Sequence, residues 1–287
     1  MCLQDIAVII DENGRSGLQM ALSLGSRYRC SIAGIFLVDD LRLSVDSLSE
    51  IDHAPLSPFV TPGLPSLQRT GFRQLVPGRW NSYAILDALN TAEHLEQDFY
   101  RALERNGLDG SWHTVTSSDV ADAVSLAMCH DIVVVAQDGH AEIASRLLRF
   151  GRPLLMVPCD GRATTLGDVV MIAWDGSRAA GRAVDAALPL LRRAEAVEVV
   201  SVDAPGHHWH GNEVVRHLRC HNIRARMVTI SSGGHTPSDA LMSHAETLKA
   251  DLVVAGAYGH SRIRELIFGS TTRNFLRNRT VPMLLSH

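Results

Sequence analysis

Apolar positions along this chain fall into short unbroken runs, separated by longer stretches where they recur every three or four residues. The runs VVMIAW (169–174) and LVVAG (252–256) do not alternate polar with apolar, so both faces of those strands must be covered. That is the pattern of a parallel sheet flanked by helices. In the second half the pattern predicts strands at 168–174, 197–202, 224–230, 251–255 and 281–285, with amphipathic helices between them. Leu188, Leu191 and Met242 fall on the apolar helix faces and are core candidates.

The pattern occurs twice. Residues 5–39 and 168–203 each open with an apolar run ending on an aspartate, Asp11 and Asp175, and continue through a Gly/Ser turn and a helix pattern. Each then closes with a β-rich run ending on Asp39 or Asp203, at a constant offset of 164 positions. DIVVVAQDGH (131–140) likewise matches DLVVAGAYGH (251–260) at an offset of 120, and PLLMVP (153–158) resembles PMLLSH (282–287). Two α/β units are therefore expected, over residues 1–158 and 167–287. Residues 41–80, which hold five of the 11 prolines and little periodicity, read as an insertion in the first. A surface loop is the plainer reading of that insertion, and a lid or partner-binding arm the other.

Composition narrows the chemistry. Hydrophobic residues are 46% and charged residues 20% of the 287, enough for real cores, and the net charge of −4 argues against non-specific nucleic-acid binding. No apolar run approaches the ~18 residues of a membrane helix. The opening MCLQDIAVIIDENG has no basic segment like that of a signal peptide, and the expected location is cytoplasmic. Five scattered cysteines without a C-x-x-C pair fit a reducing compartment and no zinc ribbon. Lys249 is the only lysine, and no glycine loop precedes it, which removes a lysine-bearing phosphate loop and lysine Schiff-base chemistry.

The most informative string is Gly256-Ala-Tyr-Gly259, then nine residues, then Gly269-Ser270-Thr271, starting where an apolar strand ends and running into the helical RNFLRN. Glycines permit a tight turn and close backbone approach, and Gly269 and Ser270 present amides at a helix start, where anions are stabilised. Phosphate binding and a pair of ordinary turns are both compatible with the spacing alone. The pattern G-x2-G-x9-G-[ST] after the fourth strand resembles the ATP-binding signature of universal stress proteins. Asp175-Gly176-Ser177 after the first strand and the closing VPMLL (281–285) also resemble that family, over essentially the whole second unit and more weakly over the first. The resemblance implies a doubly wound five-stranded parallel sheet in each unit, Rossmann-like, of the adenine nucleotide alpha hydrolase-like type, in the order 3-2-1-4-5. It further implies that Asp175 lies by the adenosine half, that backbone at Ala173 and Val202 frames the adenine, and that Gly256, Gly259, Gly269, Ser270 and Thr271 hold the phosphates of ATP. Mg²⁺ would accompany the nucleotide, and His260 is a further phosphate contact. Arg262 reads better as part of a solvated helix face.

The first unit departs from this motif. Gly139 aligns with Gly259, but Ala136 stands where Gly256 stands, Asp138 where Tyr258 stands, and the nearest later glycine, Gly151, is followed by Arg152 and Pro153. An aspartate there repels phosphate and proline removes a donor, so ATP is expected in the second unit only. His207, His208, His210, Glu213, His217, Cys220 and His221 include zinc-like spacings, but an exposed helix face is the simpler reading and no metal is assigned. No G-x-S-x-G or G-x-G-x-x-G occurs, Ser177 reads as a helix N-cap, and no catalytic residue is assigned. The last strands of the two units, Val281–Leu285 and Leu154–Val157, fall at sheet edges, and they are expected to pack together as an internal pseudo-dimer, with room left for a homodimer. The chain is thus read as a tandem nucleotide sensor or switch with at most slow hydrolysis. The alternative is a non-catalytic interaction protein with a vestigial site that acts through a protein partner.

Overall fold

The computed structural model describes residues 3–10, 15–38, 82–116, 120–137, 141–149, 151–159, 166–203, 211–257 and 281–287. Within them the runs at 169–174 and 252–256 form strands, as read from the sequence. The first unit contains β1 (Asp5–Ile10), α1 (Arg15–Tyr28), β2 (Ser31–Val38), α2 (Ser82–Asn106), β3 (Gly110–Thr116), α3 (Val120–Ala127), β4 (Ile132–Ala136), α4 (Ala141–Arg149) and β5 (Leu154–Val157). The second contains β6 (Val169–Ala173), α5 (Arg178–Leu191), β7 (Ala196–Val202), α6 (Gly211–Cys220), β8 (Ala225–Ile230), α7 (Pro237–Leu248), β9 (Leu252–Gly256) and β10 (Met283–Ser286).

The ten strands form one sheet in the order β3-β2-β1-β4-β5-β10-β9-β6-β7-β8. Each half has the expected 3-2-1-4-5 arrangement with all its pairs parallel. The two halves meet where the sequence leads one to expect, through their last strands. β5 and β10 pair antiparallel, Leu155 opposite Leu284, flanked by Met156 with Met283 and Leu154 with Leu285.

Because side chains alternate across a strand, the sheet sorts its apolar residues into two layers. Ile6, Val8 and Ile10 face Met20 and Leu24 of α1 and Phe99 of α2, a layer continued by Ala183 and Leu188 of α5 and Leu218 of α6. Ala7 and Ile9 belong to the other layer, with Val124 of α3, Leu147 of α4 and Leu241 and Met242 of α7. Both layers run across the β5–β10 seam. All residues of β4, β5, β9 and β10 are buried, which explains the unbroken apolar runs. The helix-face candidates Leu188, Leu191 and Met242 are 7%, 1% and 3% exposed.

The 120-residue sequence repeat has a physical basis. Asp131, just before β4, accepts the amides of Gln4 at 2.9 Å and Asp5 at 3.3 Å. Asp251, its counterpart before β9, accepts those of Gly167, Asp168 and Val169 at 3.0–3.1 Å. One carboxylate thus ties the start of the fourth strand to the start of the first in each unit. The helices α1 and α5 also exchange contacts at their C-terminal ends. Arg27 donates to the Arg193 carbonyl at 3.4 Å and to Asp168 at 3.0 Å, Arg193 donates to the Arg27 carbonyl at 2.6 Å, and the Arg193 guanidinium lies 4.7 Å from the Tyr28 ring centre. Cations at helix C-termini are favourable.

One charge sits inside the second unit. Glu198 on β7 is 3% exposed and accepts from Arg226 Nε of β8 at 2.7 Å and again from Arg226 Nη2. His244 Nε2 of α7 lies 2.8 Å from its other oxygen. Burial works to raise its pKa, but the hydrogen bonds from His244 and Arg226 and their charge outweigh burial and hold the carboxyl below its usual value.

Two expectations follow. Leu284→Ala should lower stability by about 2–5 kcal/mol in urea unfolding, since a fully buried leucine at the seam loses contacts in both halves. A carboxylate whose folded pKa is depressed contributes stability that is full above its unfolded pKa and is lost as pH falls through the folded value. Glu198→Gln should therefore be destabilising at pH 7 by about 1–3 kcal/mol, with the gap to wild type narrowing below roughly pH 4. A gap independent of pH would contradict this account of Glu198.

Candidate functional site

The chain reverses its winding direction between β6 and β9. β6 passes through α5 on one face to β7, whereas β9 returns to the other flank of β6 through α7 on the opposite face. The adjacent carboxyl ends of these two strands, with Ala173 opposite Ala255, bound the crevice where ligands enter such folds. Ala173, Asp175, Val202 and Gly256 are all brought to this rim. Gly259, His260, Gly269, Ser270 and Thr271 lie outside the described residues, as do Arg262, Asp11, Asp39, Asp138, the insertion at 41–80 and His207, His208 and His210.

The rim is built by local turn chemistry. Asp175 Oδ1 accepts the Ser177 amide at 2.9 Å, which closes a turn around Gly176 at φ 74°. Ser177 is the N-cap of α5, as its position predicts, its hydroxyl accepting the Ala180 amide at 3.0 Å. The half-buried Asp175 therefore sits beside the N-terminal end of α5, held by the turn that starts the helix. On the other flank Asp203 has φ 43° and accepts the Ser232 amide at 2.9 Å, fixing the loop after Val202.

Gly256 has a packing reason of its own. A Cβ built there would lie 2.4 Å from the Ala180 nitrogen and 2.6 Å from the Ala179 carbonyl carbon. The close approach that the sequence implies at Gly256 is thus made by the backbone of α5, whose first turn is pressed onto the end of β9. In the first unit the corresponding strand residue is Ala136 and the helix residue facing it is Gly17, whose built Cβ would stand 3.9 Å from the Ala136 nitrogen. A methyl group is accommodated at this strand end, where Ala136 is 4% exposed. Gly151, at φ 79° with its amide on the Leu148 carbonyl at 3.0 Å, simply ends α4.

The ladders also shift the 164-residue match by one position between β2 and β7. Asp5 pairs with Ser31, but its counterpart Val169 pairs with Ala196, so β2 and β7 correspond one residue out of step with that match. At the crevice this sets Ile10 with Phe36 in the first unit and Trp174 with Ser201 in the second. The Ser201 hydroxyl, buried in the sheet, donates to the Trp174 carbonyl at 2.7 Å. Neither residue was singled out from sequence. The signal was there, since Ser201 is the only hydroxyl in the strand AVEVVSV.

His217 lies 3.8 Å from Asp185 and its ring centre 4.7 Å from that of His221, and no three metal-ligating side chains converge among the described residues. Among those residues no helix is long and apolar enough to cross a membrane.

Comparison with known proteins fits this geometry. The model of the universal stress protein family matches residues 210–287. A universal stress protein from Synechocystis sp. is 45% identical over 51 residues, 18% of this chain and 17% of that protein, so the match spans about a sixth of the relative's length. The structure of a universal stress protein from Archaeoglobus fulgidus superposes with a TM-score of 0.66 at 14% identity, over 98% of this chain and 97% of that one. A protein of unknown function from Pseudomonas aeruginosa does so with a TM-score of 0.55 at 14% identity, over 99% and 92%. At such identities the likeness is one of fold, and it extends over both units.

The packing of Gly256 predicts that Gly256→Ala lowers stability by about 1–3 kcal/mol, because backbone rather than a flexible side chain must move. Ala136→Gly should cost under about 1 kcal/mol, the ordinary penalty of glycine in a strand. Equal effects in chemical unfolding would show that the two strand ends are packed alike.

Proposed function

Since the chain belongs to the universal stress protein family through its second unit, we propose that it binds an adenine nucleotide in the second-unit crevice and acts as a nucleotide-dependent sensor or switch. The observation that carries this reading is the position of the G-x2-G-x9-G-[ST] motif. It begins at Gly256, at the carboxyl end of β9 and directly beside the strand that leads into Asp175. The adenosine half would lie against Ala173, Asp175 and Val202. Gly259, Gly269, Ser270 and Thr271, with His260, would meet the phosphates, where backbone amides and a helix start favour negative charge. ATP, with Mg²⁺ neutralising part of its charge, is the nucleotide that the full motif suits. Asp175 is engaged in holding a turn rather than poised over a reacting atom, which supports binding over rapid hydrolysis.

The first unit supplies less. It has Ala136 for Gly256, an aspartate at 138, and no glycine-serine pair after it, so one nucleotide per chain is expected. The insertion at 41–80 would carry any protein partner.

A thermal-shift titration of the full chain with ATP, ADP and AMP, with and without Mg²⁺, tests this. Saturating stabilisation of about 2.7 kcal/mol is expected at a hundredfold excess over the dissociation constant. Asp175→Ala should lose most of it. No shift at millimolar nucleotide would overturn the reading in favour of an interaction protein with a vestigial site, and two equivalent sites per chain would overturn the assignment to the second unit alone.

A further inference from the structure

We propose that the Ser201 hydroxyl is a positioning group that keeps the second-unit crevice open to the base of its nucleotide, an inference that rests on the nucleotide reading above. In the first unit the ladder includes the pair Ile10 with Phe36. Phe36 is 2% exposed and stacks on Trp112 with ring centres 6.0 Å apart, so this corner is both paired and filled.

The second unit differs at this one pair. Its ladder stops at Ala173 with Val200, one step short of Trp174 with Ser201. The Trp174 amide still donates to the Val200 carbonyl at 2.8 Å. The Trp174 carbonyl, which a continuing ladder would give to the amide of Val202, takes the Ser201 hydroxyl instead at 2.7 Å, and Ser201 is 2% exposed.

A sheltered carbonyl needs a donor, and the hydroxyl supplies one without using an amide of β7. In a strand the amide and carbonyl of one residue face the same neighbour, and residues two apart face alike. Val200 turns its polar backbone to β6, so Val202 does the same. By satisfying Trp174, Ser201 leaves the Val202 amide out of the ladder, directed at the gap between β6 and β7. The gap then presents a backbone donor to a flat ligand edge that carries an acceptor nitrogen, the chemistry of a purine. The first unit has spent the equivalent amide on its ladder and filled the corner with Phe36.

The isosteric pair Ser201→Thr and Ser201→Val separates the hydroxyl from the shape of the side chain, and both β-branched residues suit a strand. Calorimetric titration of each full-length variant with ATP should give the threonine protein an affinity within about threefold of wild type. The valine protein should be weaker by about tenfold or more, the scale of one buried hydrogen-bonding group. Without ligand, the Val202 amide should exchange with solvent faster in wild type and in the threonine variant than in the valine variant, where the ladder can extend. Equal ATP affinity and equal exchange in the two variants would overturn the role of Ser201 while the nucleotide reading stands. Failure of wild type itself to bind ATP would overturn both.

Discussion

The pairing of β5 with β10 is the constraint on which the rest of the structure depends. Each is a four-residue strand at the edge of a five-stranded unit, apolar on both faces, and each would otherwise present unpaired backbone to solvent. Joined antiparallel, they make one sheet of ten strands and two apolar layers that continue across the seam. The antiparallel sense sets the carboxyl ends of the two sets of strands at opposite rims, so each unit keeps its own crevice. The seam also reaches the candidate site directly, because Ala257, which follows the end of β9, donates its amide to Ser286 of β10 at 2.6 Å.

Given that common frame, the two units diverge through very small changes at their rims. The first unit accommodates a methyl group at Ala136, whereas at Gly256 the first turn of α5 is pressed onto the strand. One ladder pair at Ile10 and Phe36 is replaced by a hydroxyl bond between Ser201 and Trp174. Both changes act on the backbone around the crevice rather than on side chains that reach into it. The strand order is the same in both units despite these differences.

How much was legible in the sequence follows from the range of each interaction. Apolar runs without alternation report burial on both faces, a property of each strand by itself, and they located β6, β9 and β10 to within two residues. The N-cap at Ser177 and the turn at Asp175 are bonds between near neighbours and were readable for the same reason. The pairing of the two edge strands could be anticipated because the strand order implied by the family resemblance leaves both at sheet edges. Register could not be read, since it depends on how many residues turn the helix back into β7, and this is why the β1–β2 and β6–β7 ladders differ by one residue. The packing of Gly256 was hidden likewise, because its neighbours Ala179 and Ala180 lie far away in sequence and near only in space.

The central claim, that an adenine nucleotide occupies the second-unit crevice, is tested most directly by photo-crosslinking the full-length chain with an azido-adenine analogue of ATP and mapping the labelled peptides. The account predicts saturable labelling, competed by ATP, in peptides spanning Ala173 to Asp203. Competed labelling confined to the first unit, or labelling that ATP does not displace, would contradict it.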